Sequence, residues 1–340
     1  MRLNRRILLT NCELSSKTRL ALLEALGPEF VIRNVNGVQE NEIGQVEIML
    51  FDTVKSSDKE WLTGDKIGRM QMLKLIQSIR AGVDALDFGN IPPKVIVCGN
   101  VGAYSESMAE FAMGMILYLA KDLGNRNSKL RLGIPDYENS ILLRGKRIGI
   151  IGAGGIGQAI ARIAKCFGMT TIGVNTSGKP AKSCDLTFAI TELNRVLTFS
   201  DVIVLALPLT VKTFHIIDRR ELSLMKKDCI LVNLGRGDVI NEKALYYHLR
   251  KNPLFKCGLD VWWHYPKSGQ KFEQNFPFSE FSNFLGTAHV SGFVPKQTEL
   301  SIEYAVQNIV RFAKKEKLRG RVNRREYVGL RELIKSARTD

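Results

Sequence analysis

A short glycine-rich stretch in the middle of the chain has the residue types and spacing that bind a dinucleotide pyrophosphate: Gly152-Ala-Gly154-Gly-Ile-Gly157. An apolar, β-branched run precedes it and apolar residues at helical spacing follow it, which predicts a buried strand, a tight turn and a helix. In that setting Gly152 permits the turn, Gly154 lets the backbone approach the pyrophosphate, and Gly157 lets the helix pack against the strand. Gly155 and Ile156 then lie at the helix N-terminus, whose N–H groups face the phosphates. The alternative is a glycine turn in an α/β domain that binds no nucleotide.

The next predicted strand, Thr170–Val174, ends where dinucleotide-binding domains place an acid on the ribose 2′-hydroxyl. Here Asn175 occupies that position, and Thr176, Ser177 and Lys179 follow. A carboxylate would repel a 2′-phosphate, whereas an amide, hydroxyls and a lysine can bind one. We therefore expect NADP in preference to NAD. The other interpretation is that Asn175 holds the ribose of NAD and Lys179 is solvated.

The elements that must position this loop alternate between short apolar runs and longer helical patterns, which predicts an α/β fold with parallel sheets covered on both faces. A predicted helix over Ser107–Leu123 separates the two series of strands. A second predicted helix, over Pro295–Lys317, carries the chain back to the first domain. Residues 125–144 are expected to form a loop or arm, and residues 314–340 a partly disordered basic tail. The predicted strands are Arg6–Thr10, Phe30–Arg33, Glu47–Phe51, Lys74–Ile79, Lys94–Cys98, Arg147–Ile151, Thr170–Val174, Val202–Ala206, Ile230–Asn233 and Cys257–Val261.

Composition restricts the class of protein. The net charge of +15 comes from 49 Lys+Arg against 34 Asp+Glu and is spread along the chain except for the basic tail, so a solvated basic surface is expected and no nucleic-acid partner. The longest apolar run, Phe111–Ala120, has ten residues, about half of what a membrane span needs. The six cysteines form no CxxC pair and are expected to be buried thiols in a reducing compartment. Together these features predict a soluble, cytoplasmic protein with no metal site.

Six motifs in order resemble the D-isomer-specific 2-hydroxyacid dehydrogenase family, whose superfamily includes glyoxylate and hydroxypyruvate reductases, phosphoglycerate dehydrogenases and formate dehydrogenases. The resemblance extends from about residue 78 to residue 292. The motifs are Gly102–Phe111, Leu143–Gly157, Leu207–Thr213, Val232–Gly237, Gly258–Val261 and Ala288–Gly292.

The resemblance implies two flavodoxin-like or Rossmann domains with parallel sheets. Residues 1–104 and 294–340 would form a discontinuous catalytic domain that binds substrate, and residues 105–293 the dinucleotide-binding domain. It implies hydride transfer between NAD(P)(H) and a small 2-oxo or 2-hydroxy acid of the D series, and a homodimer. We expect a substrate of the size of glyoxylate or hydroxypyruvate.

The family's catalytic roles fall on residues of this chain that match its motifs. Arg236 resembles the arginine that holds the substrate carboxylate and polarises the carbonyl, and His289 resembles the proton donor. Ala81 and Gly82 match a loop whose N–H groups grip the carboxylate, although a strand-end turn would also explain that glycine. Arg80 beside them is expected either to meet a second anionic group of the substrate or to be solvated.

Further positions match the family's cofactor contacts or depart from its pattern. Pro208 and Thr213 lie in a cofactor motif, and Asp260 matches the residue near the nicotinamide carboxamide. Tyr265 stands where the family carries a glutamate that pairs with the histidine; a phenol can orient the imidazole but supplies no charge. Formate dehydrogenases place an asparagine at the position of Tyr104, which disfavours formate as the substrate.

Other interpretations stay open at this point. The missing glutamate leaves room for a nucleotide-sensing, corepressor-like binding protein, although Arg236 and His289 argue against it because a pure sensor needs neither. The net charge would also suit a nucleic-acid binder, which would show a steep salt dependence of affinity. Trp262 and Trp263 could form an apolar substrate wall or pack in the core, and His264 is expected to be solvated.

Overall fold

The computed structural model describes residues 5–53, 56–62, 65–266 and 270–338. The chain divides into two compact units. The first unit combines Met1–Tyr104 with Val294–Asp340, and the second unit is Ser105–Phe293. The strands are β1 Arg6–Thr10, β2 Phe30–Asn34, β3 Val46–Phe51, β4 Leu75–Ser78, β5 Ile96–Cys98, β6 Arg147–Ile151, β7 Thr170–Asn175, β8 Leu186–Ala189, β9 Val202–Leu205, β10 Ile230–Asn233, β11 Lys256–Leu259 and β12 Phe284–Gly286. The helices are α1 Ser16–Leu26, α2 Asp65–Arg69, α3 Ser105–Lys121, α4 Leu123–Arg131, α5 Gly155–Cys166, α6 Leu193–Phe199, α7 Arg219–Leu224, α8 Glu242–Lys251, α9 Gln297–Ala313 and α10 Leu330–Ala337.

The first unit is built on a parallel five-stranded sheet in the order β2-β1-β3-β4-β5. This is the flavodoxin-like order, in which ligands bind outside the carboxyl ends of the strands. Its core includes Leu8 and Ile48 of the sheet, Leu22 of α1 and Ile309 of α9, all at most 1% exposed. The β-branched and leucine-rich strands fold this way because both faces of a parallel sheet must be covered by apolar helix faces.

The second unit contains a parallel seven-stranded sheet in the order β12-β11-β10-β9-β6-β7-β8. Counted from β6, this is the 3-2-1-4-5-6 order of dinucleotide-binding folds with one strand added at the edge. The strand order reverses between β6 and β9, and α3 and α5 pack with these strands in one apolar core. The prediction of an α/β protein with two parallel sheets is therefore confirmed.

Some elements differ from those that the sequence predicted. The strands β8 and β12 were missed because they are short edge strands of four and three residues that stay partly exposed. The loop prediction for residues 125–144 is wrong at its start, because residues through Arg131 continue α4, a helix with no buried residue. Such a helix has no apolar residues at helical spacing by which it could be predicted. Polar contacts support it, including Lys129 Nζ to Asp136 at 2.8 Å.

The basic tail is more ordered than its composition predicts. Residues 320–322 run antiparallel to the edge strand β5, with Gly99 N–H donating to the Gly320 carbonyl at 2.9 Å. Tyr327 stacks on Phe88 with ring centroids 4.6 Å apart, and α10 follows. The final two residues lie outside the described part of the chain.

Four cysteines are buried, namely Cys12, Cys98, Cys229 and Cys257, whereas Cys184 is half-buried and Cys166 is exposed. Burial raises the pKa of Cys98 to about 11, so this thiol stays protonated near neutral pH. Among the residues that the structure describes, no cluster of His, Cys, Asp or Glu is suited to a metal ion. Within the same ranges, no helix combines the length and the apolar character that crossing a bilayer requires.

Candidate active site

The candidate residues of the second unit come from separate parts of the chain but share one edge of the sheet. The glycine loop follows β6, Asn175 ends β7, Arg236 follows β10, and His289 follows β12. Because all the strands are parallel, their carboxyl ends meet at the same edge. The fold therefore places residues far apart in sequence on one rim.

The glycine loop needs glycine at two positions for steric reasons. Gly152 has φ +104°, and a Cβ there would lie 2.5 Å from the Ala206 carbonyl oxygen. A Cβ on Gly157 would lie 2.3 Å from the Gly152 carbonyl oxygen. Gly154 differs, since a Cβ there would meet no described atom within 4 Å. A side chain at Gly154 would project into open space in front of the N-terminus of α5, which is where a pyrophosphate would have to approach the backbone.

Asn175 organises the turn after β7. Its Oδ1 accepts hydrogen bonds from Ser177 N–H at 3.1 Å and Gly178 N–H at 2.7 Å, and its Nδ2 donates to the Lys179 carbonyl at 2.8 Å. The amide is thus committed to the turn at both ends, while Thr176, Ser177 and Lys179 are exposed. These three residues, rather than the Asn175 amide, are exposed to solvent.

Thr213 holds the loop after β9 in shape. Its Oγ1 donates to the Pro208 carbonyl at 2.7 Å and accepts from Thr210 N–H at 2.8 Å. Pro208 is exposed at the start of this loop. The sequence motif therefore encodes a loop whose conformation is stabilised by the two hydrogen bonds of the Thr213 hydroxyl.

Arg236 lies in a turn that Asn233 shapes. The Asn233 amide donates to the Arg236 carbonyl at 2.9 Å and accepts from Gly235 N–H at 3.0 Å. Next in the chain, a Cβ on Gly237 would come within 2.3 Å of the Trp262 backbone. The Arg236 guanidinium is half-buried and donates to the Gly235 carbonyl at 2.8 Å.

Asp260 is fully buried and anchors the loop that carries His289. One carboxylate oxygen accepts from Thr287 Oγ1 at 2.6 Å and from Val290 N–H at 2.9 Å; the other accepts from Ser291 N–H at 2.9 Å. Hydrogen bonds to a carboxylate are short and strong. They hold His289 in a left-handed conformation with φ +58°, which a non-glycine residue adopts only when its surroundings impose it.

Tyr265 contacts His289 directly. The tyrosine hydroxyl lies 3.1 Å from His289 Nδ1 and accepts a hydrogen bond from Trp262 N–H at 3.0 Å. The hydroxyl and Nδ1 are within hydrogen-bonding distance, and the tautomer of the imidazole decides which of the two donates. A phenol at this place can either donate to Nδ1 or accept from Nδ1–H, and it supplies no charge.

The three residues that precede Tyr265 in the chain form hydrogen bonds within the second unit. Trp262 and Trp263 are 8% and 4% exposed, and their indole N–H groups donate to the carbonyls of Thr287 and Ile240, both at 2.7 Å. They pack in the core and do not form a substrate wall. His264 is half-buried, and its Nε2 lies 3.0 Å from the Asn275 amide nitrogen.

In the first unit, Arg80 is paired rather than solvated. Its Nε and one terminal nitrogen donate to the two oxygens of Asp52 at 2.9 and 2.7 Å, and the hydrogen bond to Asp52 raises the pKa of Arg80. Tyr104 is buried and also bonds to Arg80. Ala81 is exposed and Gly82 half-buried in the loop after β4.

Three positioning residues were not singled out from the sequence. Asp52 orders Arg80, Asn233 shapes the Arg236 turn, and Thr287 donates to Asp260. Asp52 and Asn233 stand at the carboxyl ends of predicted strands, where ligand-binding residues gather, so their positions carried a usable signal. Thr287 had none, because β12 was not predicted.

A family model described as D-isomer specific 2-hydroxyacid dehydrogenase, NAD binding domain, matches residues 113–291 of the chain. The chain belongs to the D-isomer specific 2-hydroxyacid dehydrogenase family. The sequence resemblance is thereby confirmed, and the matched residues lie within the second unit.

Several proteins of this family are similar to the chain. A D-3-phosphoglycerate dehydrogenase of Methanocaldococcus jannaschii is 34% identical over 266 residues, which are 73% of this chain but only 49%, about half, of that protein. A hydroxypyruvate reductase of Thermotoga maritima is 36% identical over 225 residues, covering 64% of this chain and 70% of that protein. The crystal structure of a D-isomer specific 2-hydroxyacid dehydrogenase family protein from Aeromonas salmonicida gives a TM-score of 0.74 at 26% identity, covering 94% of this chain and 99% of that chain.

Membership of the dehydrogenase family defines the reaction class. The chain is an NAD(P)-dependent oxidoreductase for 2-oxo and 2-hydroxy acids. Its glycine loop fits a nicotinamide dinucleotide, because Gly154 leaves the approach to the α5 N-terminus open. When bound, the cofactor supplies or takes up the hydride; the protein must bind the acid and move a proton.

Proposed function

We propose that this dehydrogenase reduces small 2-oxo acids, of the size of glyoxylate or hydroxypyruvate, to D-2-hydroxy acids. Arg236 holds the substrate carboxylate and polarises its carbonyl, and His289 protonates the carbonyl oxygen from Nε2. The first unit acts as the substrate domain, in which Ala81, Gly82, Arg80 and Tyr104 contribute to binding. The second unit binds the cofactor.

The observation that carries this proposal is the fixed orientation of His289. The ring is oriented by the Tyr265 hydroxyl, and its backbone is held by hydrogen bonds to buried Asp260. A general acid must be positioned within hydrogen-bonding reach of the group that it protonates. A protein that only senses nucleotides has no use for a histidine held in this way.

A steady-state screen tests the proposal. NADPH and NADH oxidation should be measured with a panel of 2-oxo acids that includes glyoxylate and hydroxypyruvate, in parallel with cofactor binding by fluorescence. Turnover with a small 2-oxo acid is the expected result. Tight NADPH binding without turnover of any acid would contradict the proposal and favour the sensor.

The cofactor proposal predicts a higher kcat/KM with NADPH than with NADH, because Thr176, Ser177 and Lys179 offer donors and a positive charge where an acid is usual. Lys179→Gln should lower the NADPH:NADH ratio of kcat/KM about tenfold, the effect of one charge-assisted hydrogen bond of ~1.5 kcal/mol. The described contacts of Lys179 with the turn are made through its backbone carbonyl and N–H, so this substitution leaves the turn intact.

Two further variants complete the test of cofactor preference. Asn175→Asp should flatten or reverse the preference by adding a negative charge, although it also removes the amide donor of the turn. Lys182→Gln, at an exposed position nearby in the sequence, is the matched control and should leave the ratio unchanged. A strong preference of the wild type for NADH would contradict the assignment.

The tyrosine in place of a carboxylate predicts a distinctive pH profile for reduction. Protonated His289 is the acid, and a carboxylate beside it would favour that form, commonly by about one pKa unit. Tyr265→Glu should therefore move the alkaline limb of kcat/KM to higher pH, whereas Tyr265→Phe should not move it upward. A wild-type limb already well above neutrality, and unmoved in Tyr265→Glu, would show that another group sets the charge of His289.

We also propose a cytoplasmic homodimer. Support for a dimer comes from six large apolar side chains that α4 and the residues after it leave exposed, because an interface would bury such side chains. The exposed fractions are Leu123 49%, Leu130 68%, Leu132 76%, Ile134 52%, Tyr137 91% and Leu142 65%.

A further inference from the structure

We propose that the Tyr265 hydroxyl carries protons between His289 Nδ1 and solvent, so that the histidine can change its protonation while Nε2 faces bound substrate. This inference rests on the proposed function of His289 as the proton donor. It assigns to Tyr265 an exchange role that an orienting residue alone would not have.

The Tyr265 hydroxyl lies within hydrogen-bonding distance of both the Trp262 N–H and the His289 ring. Its hydroxyl accepts from Trp262 N–H at 3.0 Å and lies 3.1 Å from His289 Nδ1. A hydroxyl has one donor and two acceptor positions. With one acceptor position occupied by Trp262, the oxygen can still donate to the neutral Nδ1 or accept from Nδ1–H of the imidazolium.

Tyr265 is more exposed to solvent than the histidine that it contacts. The side chain is 49% exposed, whereas His289 is half-buried. Tyr265 also lines an open cavity of about 430 Å³, whose other walls include His264, Pro266, Gln270, Lys271 and Glu273. Solvent therefore reaches the tyrosine side chain.

This route charges His289 while the substrate covers Nε2, and the protons of one reduction balance over the whole cycle. A solvent proton binds the Tyr265 oxygen as the Tyr265 O–H bond breaks and an Nδ1–H bond forms, which gives the imidazolium. The Nε2–H bond then breaks as the substrate oxygen gains its proton and the substrate carbon gains the hydride from the reduced nicotinamide. His289 is left neutral with its proton on Nδ1. After the product leaves, Nε2 takes a proton from solvent and Nδ1 returns its own through Tyr265.

A carboxylate at this place would serve a different purpose. An ionised carboxylate only accepts hydrogen bonds and retains the Nδ1 proton by its charge. The phenol gives up that stabilisation but can both donate and accept. Proton exchange with solvent at Nδ1 then replaces permanent charge pairing as the means of supplying the acid.

The tautomer can be tested on the free protein, without turnover. With only four histidines in the chain, the imidazole ¹⁵N signals of His289 can be assigned from a His289→Asn spectrum. Above the titration range, the wild type should show unprotonated Nδ1 and protonated Nε2. Tyr265→Phe should lose this bias and give a mixture or the other tautomer. A dominant Nδ1–H tautomer in the wild type would overturn the relay.

The proton route is tested by single-turnover reduction with saturating NADPH and glyoxylate, or whichever 2-oxo acid the screen identifies. Tyr265→Phe should lower the rate about tenfold at low buffer concentration, less than the ~10²-fold contribution of a group that protonates substrate itself. Small buffers such as imidazole should restore the rate, and the solvent deuterium isotope effect should rise. The wild type and Tyr247→Phe, a change at another exposed tyrosine (41% exposed), should not respond to buffer.

The outcomes separate the relay from the function on which it rests. Wild-type turnover together with a Tyr265→Phe rate that is independent of buffer, and a wild-type isotope effect in that variant, would overturn the relay alone. A slow Tyr265→Phe that no buffer restores would show an orienting role only. No wild-type turnover of any 2-oxo acid would overturn the proposed function and the relay with it.

Discussion

Removal of either Arg236 or His289 is expected to lower kcat/KM for the 2-oxo acid at least ~100-fold, while NADPH still binds. Positioned acid–base groups contribute about 10²–10⁴-fold, and fixed donors that stabilise developing charge contribute similarly. Arg236→Ala removes the guanidinium that we propose holds the substrate carboxylate. For the histidine, His289→Asn is the better variant, because φ at this position is +58° and asparagine tolerates left-handed backbone better than alanine.

Cofactor binding and an exposed arginine provide the controls for this pair. The dissociation constant of NADPH, measured by fluorescence, should stay near the wild-type value in both variants. Arg250→Ala removes an exposed cation of α8 in the same unit and should leave kcat/KM unchanged. Near-wild-type turnover in Arg236→Ala or His289→Asn would remove that residue from the mechanism.

Asp260→Ala is expected to cost both stability and catalysis. The carboxylate is fully buried and accepts from Thr287 Oγ1, Val290 N–H and Ser291 N–H. Each buried donor left without an acceptor costs about 1–3 kcal/mol, so the free energy of unfolding should fall by several kcal/mol. Release of the 287–291 loop should also lower kcat/KM by more than ~10-fold, because even a small misplacement of a catalytic group is costly.

Denaturant unfolding and kinetics on the same samples check this prediction. Asp228→Ala removes an exposed aspartate of the same unit and is the matched control for stability. A weaker NADPH affinity with unchanged stability would contradict the anchoring role and leave Asp260 as a cofactor residue only.

The motifs of the sequence predicted the reaction class because this chemistry is encoded locally. Gly152 and Gly157 stand where any side chain would collide with the backbone, so the loop between β6 and α5 leaves a readable pattern of glycines. The strands β1, β6 and β10 were predicted with their observed bounds, because a buried parallel strand needs an unbroken apolar run. The edge strands β8 and β12 and the polar helix α4 do not need an unbroken apolar run, and they were therefore not predicted.

Contacts between distant segments could be decided only by the tertiary structure. The sequence identifies Asp260, Tyr265 and His289 as candidate site residues, but it does not show the hydrogen bonds by which Asp260 holds the histidine loop and Tyr265 contacts the imidazole. Nor does it show that Asp52 takes two donors of Arg80. Such pairings depend on which strands lie side by side and on the order β12-β11-β10. Residue types and local spacing thus determined the cofactor loop and the family, whereas the packing of separate strands determined which polar groups meet, because hydrogen bonds form only within about 3 Å.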